Sequence, residues 1–345
     1  MESMTMHKVK VEGREIGGER AFVIAEIGSN HNQSLDLAYE SIDAAVECGA
    51  DAVKFQSIKL DQLYYKPSEQ TRILHRKIDM DEGWHQLLSD YCKKKDIIFF
   101  SAPTYLAAVD ILEEINVPLY KLASAQIGTF PQLVEKVAST GKPVILSTGI
   151  VTADELASVI EVFKRRKNEQ LIILHCNSIY PTPYNKVYLS IMNTYREMYG
   201  CIVGFSDHTP DIYVPIAAVT MGAKVIEKHF ALDRTLPVPD AQFSLEPDDF
   251  RRMVEGIRAV EQAMIFGDRA RLEPEEACFK QSILYRLVAK KDLIAGENMH
   301  QQDFDFLRHT EGVDCRDLQN LLDNNAKYIT NLKKGDLIQY EHLSI

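Results

Sequence analysis

Several features are scarce in this chain, and each scarcity excludes something. The six cysteines of the 345 residues are scattered with no CxxC spacing. That pattern argues against a zinc ribbon and leads us to expect a reduced, cytoplasmic protein. There is no apolar run of about 18 residues, so no membrane-spanning helix is expected. The opening, MESMTMHKVKVEGREIGGER, is too charged to read as a signal peptide. Basic residues are in deficit: 39 Lys and Arg stand against 50 Asp and Glu, a net charge of −11. That balance disfavours nucleic acid or an anionic membrane as the main partner, but leaves room for a locally basic site. No GxGxxG follows the first strand-like run, which weakens an open dinucleotide-binding sheet as the architecture.

Apolar residues are not scarce. They make up 46% of the chain, enough for a large core. Short apolar runs recur: FVIAEIG (22–28), AVKFQ (52–56), IIFFSAP (97–103), LYKLAS (119–124), PVILSTG (143–149), LIILHCN (171–177), IVGFSDH (202–208) and KVIEKHF (224–230). Helical patterns alternate with them, as in 34–50, 105–115, 153–166 and 245–265, and Thr152 with Glu155 spells a capping box. Near-continuous apolar strands alternating with helices imply a parallel sheet. Eight repeats imply a (β/α)8 TIM barrel, with an open doubly wound sheet as the alternative.

Function in such a barrel gathers at the C-terminal strand ends. His208 and His229 fall at equivalent ends of consecutive strands. A single histidine there reads as a capped or solvated loop residue. Two at matching positions point to a shared divalent metal with open positions. The helix after His208 is expected to start with Thr209 as N-cap and Pro210 at its first position, and to close at Gly222. Lys54 and Lys121 stand inside apolar runs, so their ammonium groups need an anion. Glu26, Ser29, Asn30, Gln56, Ser101, Ser124, Ser147, Thr148, His175, Asn177, Ser178 and Tyr180 lie at or just past strand ends. Each serine alone is most simply a helix cap. Together with the lysines they describe a phosphate or carboxylate pocket. Glu26 reads either as a proton-transfer group or as an ion-pair partner of a lysine.

The expected domains are a barrel over 1–266, a linker over 267–282 and a small β-rich domain over 283–345. KKDLIAGE and KKGDLIQYE in the tail look like two copies of one unit. Roughly 60 residues bury little apolar surface alone, so the tail is expected to lean on something else.

The chain resembles the N-acetylneuraminate (sialic acid) synthase family. The motifs are AEIGSNHNQS, ADAVKFQ, YKLAS, TGKPVILSTG, LHCNSIYPTP, GFSDHT and EKHFALDRTLPVPDAQFSLEPDDF, in that order. The tail is similar to the family's antifreeze-like (SAF) domain. The resemblance implies a domain-swapped homodimer that condenses phosphoenolpyruvate with an N-acetylated amino-sugar aldehyde. A divalent metal, commonly Mn2+, would sit on His208 and His229. Phosphoenolpyruvate positions would be Lys54, Lys121, Ser124, Ser147, Ser178, Tyr180 and Ser206. Glu26 and Asp240 would lie near the sugar and the reacting carbons, Gln56 would contact substrate, and Arg308 would reach the partner's sugar. Three departures touch the acceptor side: Ser124-Ala125-Gln126 where the family has an acidic residue, Val238-Pro239-Asp240-Ala241 for Gly-Pro-Asp-His, and Arg308-His309-Thr310 for Arg-Pro-Gly. Gln126 thus takes the place of a carboxylate near the sugar. The alternatives are another phosphoenolpyruvate-dependent 3-deoxy-ulosonate synthase and a non-catalytic sugar-binding paralogue in polysaccharide assembly.

Overall fold

The structure is a computed structural model that describes residues 8–265, 267 and 269–344. It divides into two compact units, Met1–Ile265 and Phe266–Ile345. Among the described residues no helix is long and apolar enough to cross a membrane.

In the first unit, β1 (Val9–Val11) and β2 (Arg14–Ile16) form an antiparallel hairpin. Its two-residue turn, Glu12-Gly13, has positive φ at both positions, the geometry that matches hairpin twist. Eight strands follow: β3 (Phe22–Gly28), β4 (Ala52–Ser57), β5 (Ile98–Pro103), β6 (Tyr120–Leu122), β7 (Val144–Ser147), β8 (Leu171–Cys176), β9 (Ile202–Asp207) and β10 (Val225–His229). Their order is β5-β4-β3-β10-β9-β8-β7-β6, and every ladder is parallel. The two ends of that order, β5 and β6, lie side by side and bring the sheet round into the (β/α)8 barrel.

Strand alternation fills the barrel. Phe22, Ile24, Ala52, Ile98, Phe100, Ile145, Ile172, Leu174, Ile202 and Val225 pack inside with Val9, Val11 and Ile16 of the hairpin. The hairpin therefore seals the floor with apolar side chains. Burying each such side chain stabilises the fold by about 1.5–3 kcal/mol. The alternate residues, among them Val23, Val53, Phe99, Ile173, Phe205 and Ile226, pack outward under the helices. Helix Leu35–Glu47 is capped by Ser34, whose side chain accepts from the Leu37 amide. Helix Ala153–Arg165 carries the capping box of Thr152 and Glu155.

One expectation fails beside the site. The helix after β9 begins at Tyr213, not at Pro210. Asp207 captures the Thr209 amide at 3.0 Å and its hydroxyl at 2.9 Å, so Thr209 is tied backward and cannot cap a helix.

The second unit has its own apolar core, built on Leu287, Leu293, Phe304, Val313, Leu321 and Tyr328. It pairs β11 (Tyr285–Ala289) with β12 (Phe304–Arg308). The stretch 267–282, read as a linker, contains the helix Pro274–Ser282, which starts on a proline and two glutamates. The two tail stretches match locally in geometry, but in another register than KKDLIAGE set against KKGDLIQYE. Leu293 pairs with Leu332, and Gly296 and Gly335 each follow three residues on with the same φ of 92°.

Candidate active site

The floor of the barrel is apolar, so the inward positions above it carry the polar and charged groups. Register brings Glu26 level with Lys54 on neighbouring strands, and Glu227 level with Ser206. All four are buried, as is Lys121. Glu26 Oε2 lies 2.6 Å from Lys54 Nζ. Gln56 Nε2 donates to Glu26 Oε1 at 2.6 Å. Gly28 permits that contact: its φ is +55°, and a Cβ there would sit 3.0 Å from Glu26 Oε1.

Glu227 links the two lysines. Its carboxylate takes Lys121 Nζ at 2.5 and 2.6 Å, Ser206 Oγ at 3.2 Å, and lies 3.7 Å from Lys54 Nζ. Burial alone would raise this carboxyl, but the Lys121 and Lys54 charges outweigh it and hold Glu227 at about 2. Glu26 goes the other way. Burial raises it against the pull of Lys54, with the Glu227 charge adding to the rise. Two neighbouring carboxyls are therefore shifted in opposite directions.

The histidines stand beside these carboxylates: His229 is level with Glu26 across the β10–β3 ladder, and His208 follows the end of β9. The ring centroids of His208 and His229 are 5.3 Å apart. His208 Nδ1 donates to the Asn177 carbonyl at 2.7 Å, which leaves Nε2 as the free lone pair. His229 Nδ1 is buried and without a hydrogen-bond partner, and Asp240 Oδ2 lies 3.8 Å from it. Burial pushes His208 down to about 4 and His229 well below the usual range, so both are neutral, as a metal ligand must be. Burial, helped by the Glu26 charge, raises Asp240 to about 6. Among the described residues no three His, Cys, Asp or Glu side chains converge as a ready cluster. The histidine pair offers two ligands, and further positions would fall to water or substrate.

A hydroxyl cradle lies between these groups. Ser124 Oγ accepts from the Gly149 amide at 2.8 Å. A Cβ at Gly149 would sit 2.3 Å from Ser178 Oγ and 2.9 Å from Ser124 Oγ, so only glycine fits. Ser147 Oγ is buried with no hydrogen-bond partner. Tyr180 lies against His208 with centroids 4.2 Å apart and the ring planes tilted by 43°, and Phe243 meets His229 edge-on at 5.2 Å. A cavity of about 200 Å³ opens there, lined by Tyr180, Pro181, Pro210, Arg234, Gln242 and Phe243. A larger groove of about 530 Å³ shares Arg234 and Gln242 and runs out to Ile73 and Lys77.

Most sequence-selected residues of the barrel therefore meet in one mouth. Gln126 is half-buried on the short helix Ser124–Thr129. Arg308 lies in the second unit, its guanidinium 5.4 Å from the Tyr285 ring. Three strand-end expectations are corrected. Ser101 faces outward and bonds Ser57 at 2.8 Å; His175 faces outward and bonds the Val187 carbonyl at 2.5 Å. Asn30 holds the Phe230 carbonyl at 2.9 Å, a structural tie. Glu227, Cys176 and Phe243 were not singled out from the sequence. Glu227 was recoverable: it is two residues before His229 on one strand, hence on the same face.

The NeuB family model matches residues 41–269. An uncharacterized protein of Methanocaldococcus jannaschii is 38% identical over 98% of this chain and 99% of its own length. The N,N'-diacetyllegionaminic acid synthase of Campylobacter jejuni is 33% identical over 93% of this chain and 99% of its own. Among solved structures, the N-acetylneuraminic acid (sialic acid) synthetase of Leptospira borgpetersenii superposes with a TM-score of 0.73 at 32% identity, covering 80% of this chain and 97% of that one.

Proposed function

The chain belongs to the NeuB family, and from that membership we propose that it is a nonulosonic acid synthase. On this reading it condenses phosphoenolpyruvate with an N-acetylated amino-sugar aldehyde to a nine-carbon 2-keto-3-deoxy acid and phosphate. The observation that carries the proposal is the convergence in one mouth of two buried lysines, a raised carboxyl and a neutral histidine pair.

Lys54 and Lys121 bind the donor's negative charges, and the orphaned Ser147 hydroxyl and the Ser124–Gly149–Ser178 cradle supply neutral hydrogen bonds to it. Ser206 steadies Glu227 between the lysines. C3 of the donor forms a bond to the aldehyde carbon, water adds to C2, and the tetrahedral intermediate expels phosphate. Glu26, oriented by Gln56, holds or moves the protons for these steps. Asp240 serves the sugar side. Tyr180 and Phe243 line the mouth beside the two histidines. His208 and His229 fit a divalent cation, with Mn2+ as the expected ion. When bound, such an ion polarises the aldehyde oxygen as a Lewis acid.

The acceptor is read as N-acetylmannosamine or a related sugar. Gln126 replaces a carboxylate near it, and the groove from Arg234 to Ile73 offers room for its far end. Arg308, a planar donor fork, is exposed, and no carboxylate pairs with it among the described residues. We assign it to the mouth of a partner chain in a domain-swapped homodimer, with the second unit as the antifreeze-like domain. Phosphate release from phosphoenolpyruvate with Mn2+ and a panel of N-acylated amino sugars tests the reading. Release that depends on one sugar supports it; none with any sugar refutes it.

A further inference from the structure

Strand alternation sends Glu227 and His229 into the barrel and Lys228 to its outer side. There the Lys228 side chain is 1% exposed and the Asp207 side chain 0%. Lys228 Nζ donates to Asp207 Oδ2 at 2.5 Å, to the Thr209 carbonyl at 2.5 Å and to the Asp211 carbonyl at 3.2 Å. Three acceptors thus meet three N–H donors. Asp207 in turn takes the Thr209 amide at 3.0 Å and the Thr209 hydroxyl at 2.9 Å. The ladder places the two residues directly opposite each other on β9 and β10.

An ion pair buried this deeply is weak evidence for stability, because a well-packed apolar pair often does as well. Its place in the chain supplies a different account. Asp207 immediately precedes His208, Thr209 immediately follows it, and Lys228 immediately precedes His229. The knot holds the backbone on both sides of one imidazole and on one side of the other. It also explains why residues 208–212 stay out of the helix that begins at Tyr213.

We propose that Lys228 and Asp207 are positioning residues, whose buried ion pair clamps residues 207–211 so that His208 stays at the separation from His229 that a shared divalent cation requires. This rests on the metal reading of the histidine pair given above. Neither side chain enters the mouth, so neither touches donor or acceptor.

The test uses the full chain and Mn2+ as probe, with binding read from loss of the free-ion EPR signal. Lys228→Met and Asp207→Asn should weaken Mn2+ binding about ten- to a hundredfold, the usual effect of losing a group that orients a ligand. Amide exchange at Thr209 and at residues 211–213 should rise. Lys228→Arg should recover most of the affinity. Calorimetric binding of phosphoenolpyruvate without metal should stay within about twofold, since Lys54 and Lys121 are untouched. A folded variant with wild-type Mn2+ affinity overturns the proposal. So does a parallel fall in Mn2+ affinity, phosphoenolpyruvate affinity and melting temperature, which would mark a merely structural pair. If Lys228→Met does not fold, Asp207→Asn, which preserves shape, decides by the same criteria. A wild-type chain that takes up no Mn2+ refutes the metal reading itself, and that failure is visible before any substitution is made.

Discussion

Replacing Glu227 by Gln keeps the shape of the side chain and removes the charge that two buried lysines share. In the structure its oxygens stand 2.5 Å from Lys121 Nζ and 3.7 Å from Lys54 Nζ. At an effective dielectric of about 20, those contacts amount to roughly 6–7 and 4–5 kcal/mol of attraction. Desolvation of the carboxylate offsets much of that sum. Breaking one partner of a buried pair typically costs about 3–5 kcal/mol, because the surviving charge is left uncompensated. For a unit of this size the melting temperature should fall by roughly 6–20 °C. In the variant only Glu26 remains to face the two lysine side chains. An added anion should therefore stabilise it more than it stabilises the parent. One charge-assisted contact is worth about 1.5–3 kcal/mol, so inorganic phosphate should bind roughly ten- to a hundredfold tighter to the variant. The assay is a thermal melt of both chains across a phosphate titration. Equal melting temperatures without phosphate, or equal shifts with it, would refute the account of Glu227 as the internal counter-ion.

Three further outcomes are expected. His208→Ala and His229→Ala should each abolish metal-dependent turnover while circular dichroism and melting stay near the parent's, because both rings lie in the mouth and not in the core. Lys54→Met should raise the Michaelis constant for phosphoenolpyruvate roughly ten- to a hundredfold and leave that for the sugar nearly unchanged; an unchanged donor constant counts against the assignment. In the second unit, the Arg316 hydrogen bond and the Arg316 and Arg286 charges outweigh burial and hold Asp314 at about 2. A carboxyl depressed in the folded state contributes stability above its unfolded value of about 3.9, and that contribution is lost as pH falls toward 2. The protection factor of the Leu287 amide, which donates to the Val313 carbonyl at 3.0 Å, should fall over that window and change less in Asp314→Asn.

The alternation of apolar runs and helices was sufficient to read the barrel, because buried parallel strands need apolar residues on both faces. The histidine pair was legible because strand ends are positions that topology fixes. What stayed hidden was phase. A run such as LIILHCN does not say which of His175 and Cys176 points inward until one neighbour is anchored. His175 proved to face the helices, and Cys176 the mouth. The same ambiguity hid Glu227, which alternates with Lys228 along KVIEKHF. The hairpin β1–β2 escaped because three-residue strands carry too little pattern. The late helix start at Tyr213 depended on long-range contacts from Lys228 that local capping rules do not contain.

In the proposed condensation the donor's C2–O bond breaks. Phosphoenolpyruvate carrying 18O in the oxygen that bridges C2 and phosphorus, incubated with the full chain, Mn2+ and an N-acylated amino sugar, reports on it in one mass-spectrometric measurement. The expected products are a nine-carbon 2-keto-3-deoxy acid and a released phosphate that carries the label. Label kept in the organic product, or labelled phosphate released equally well without the sugar, would contradict it.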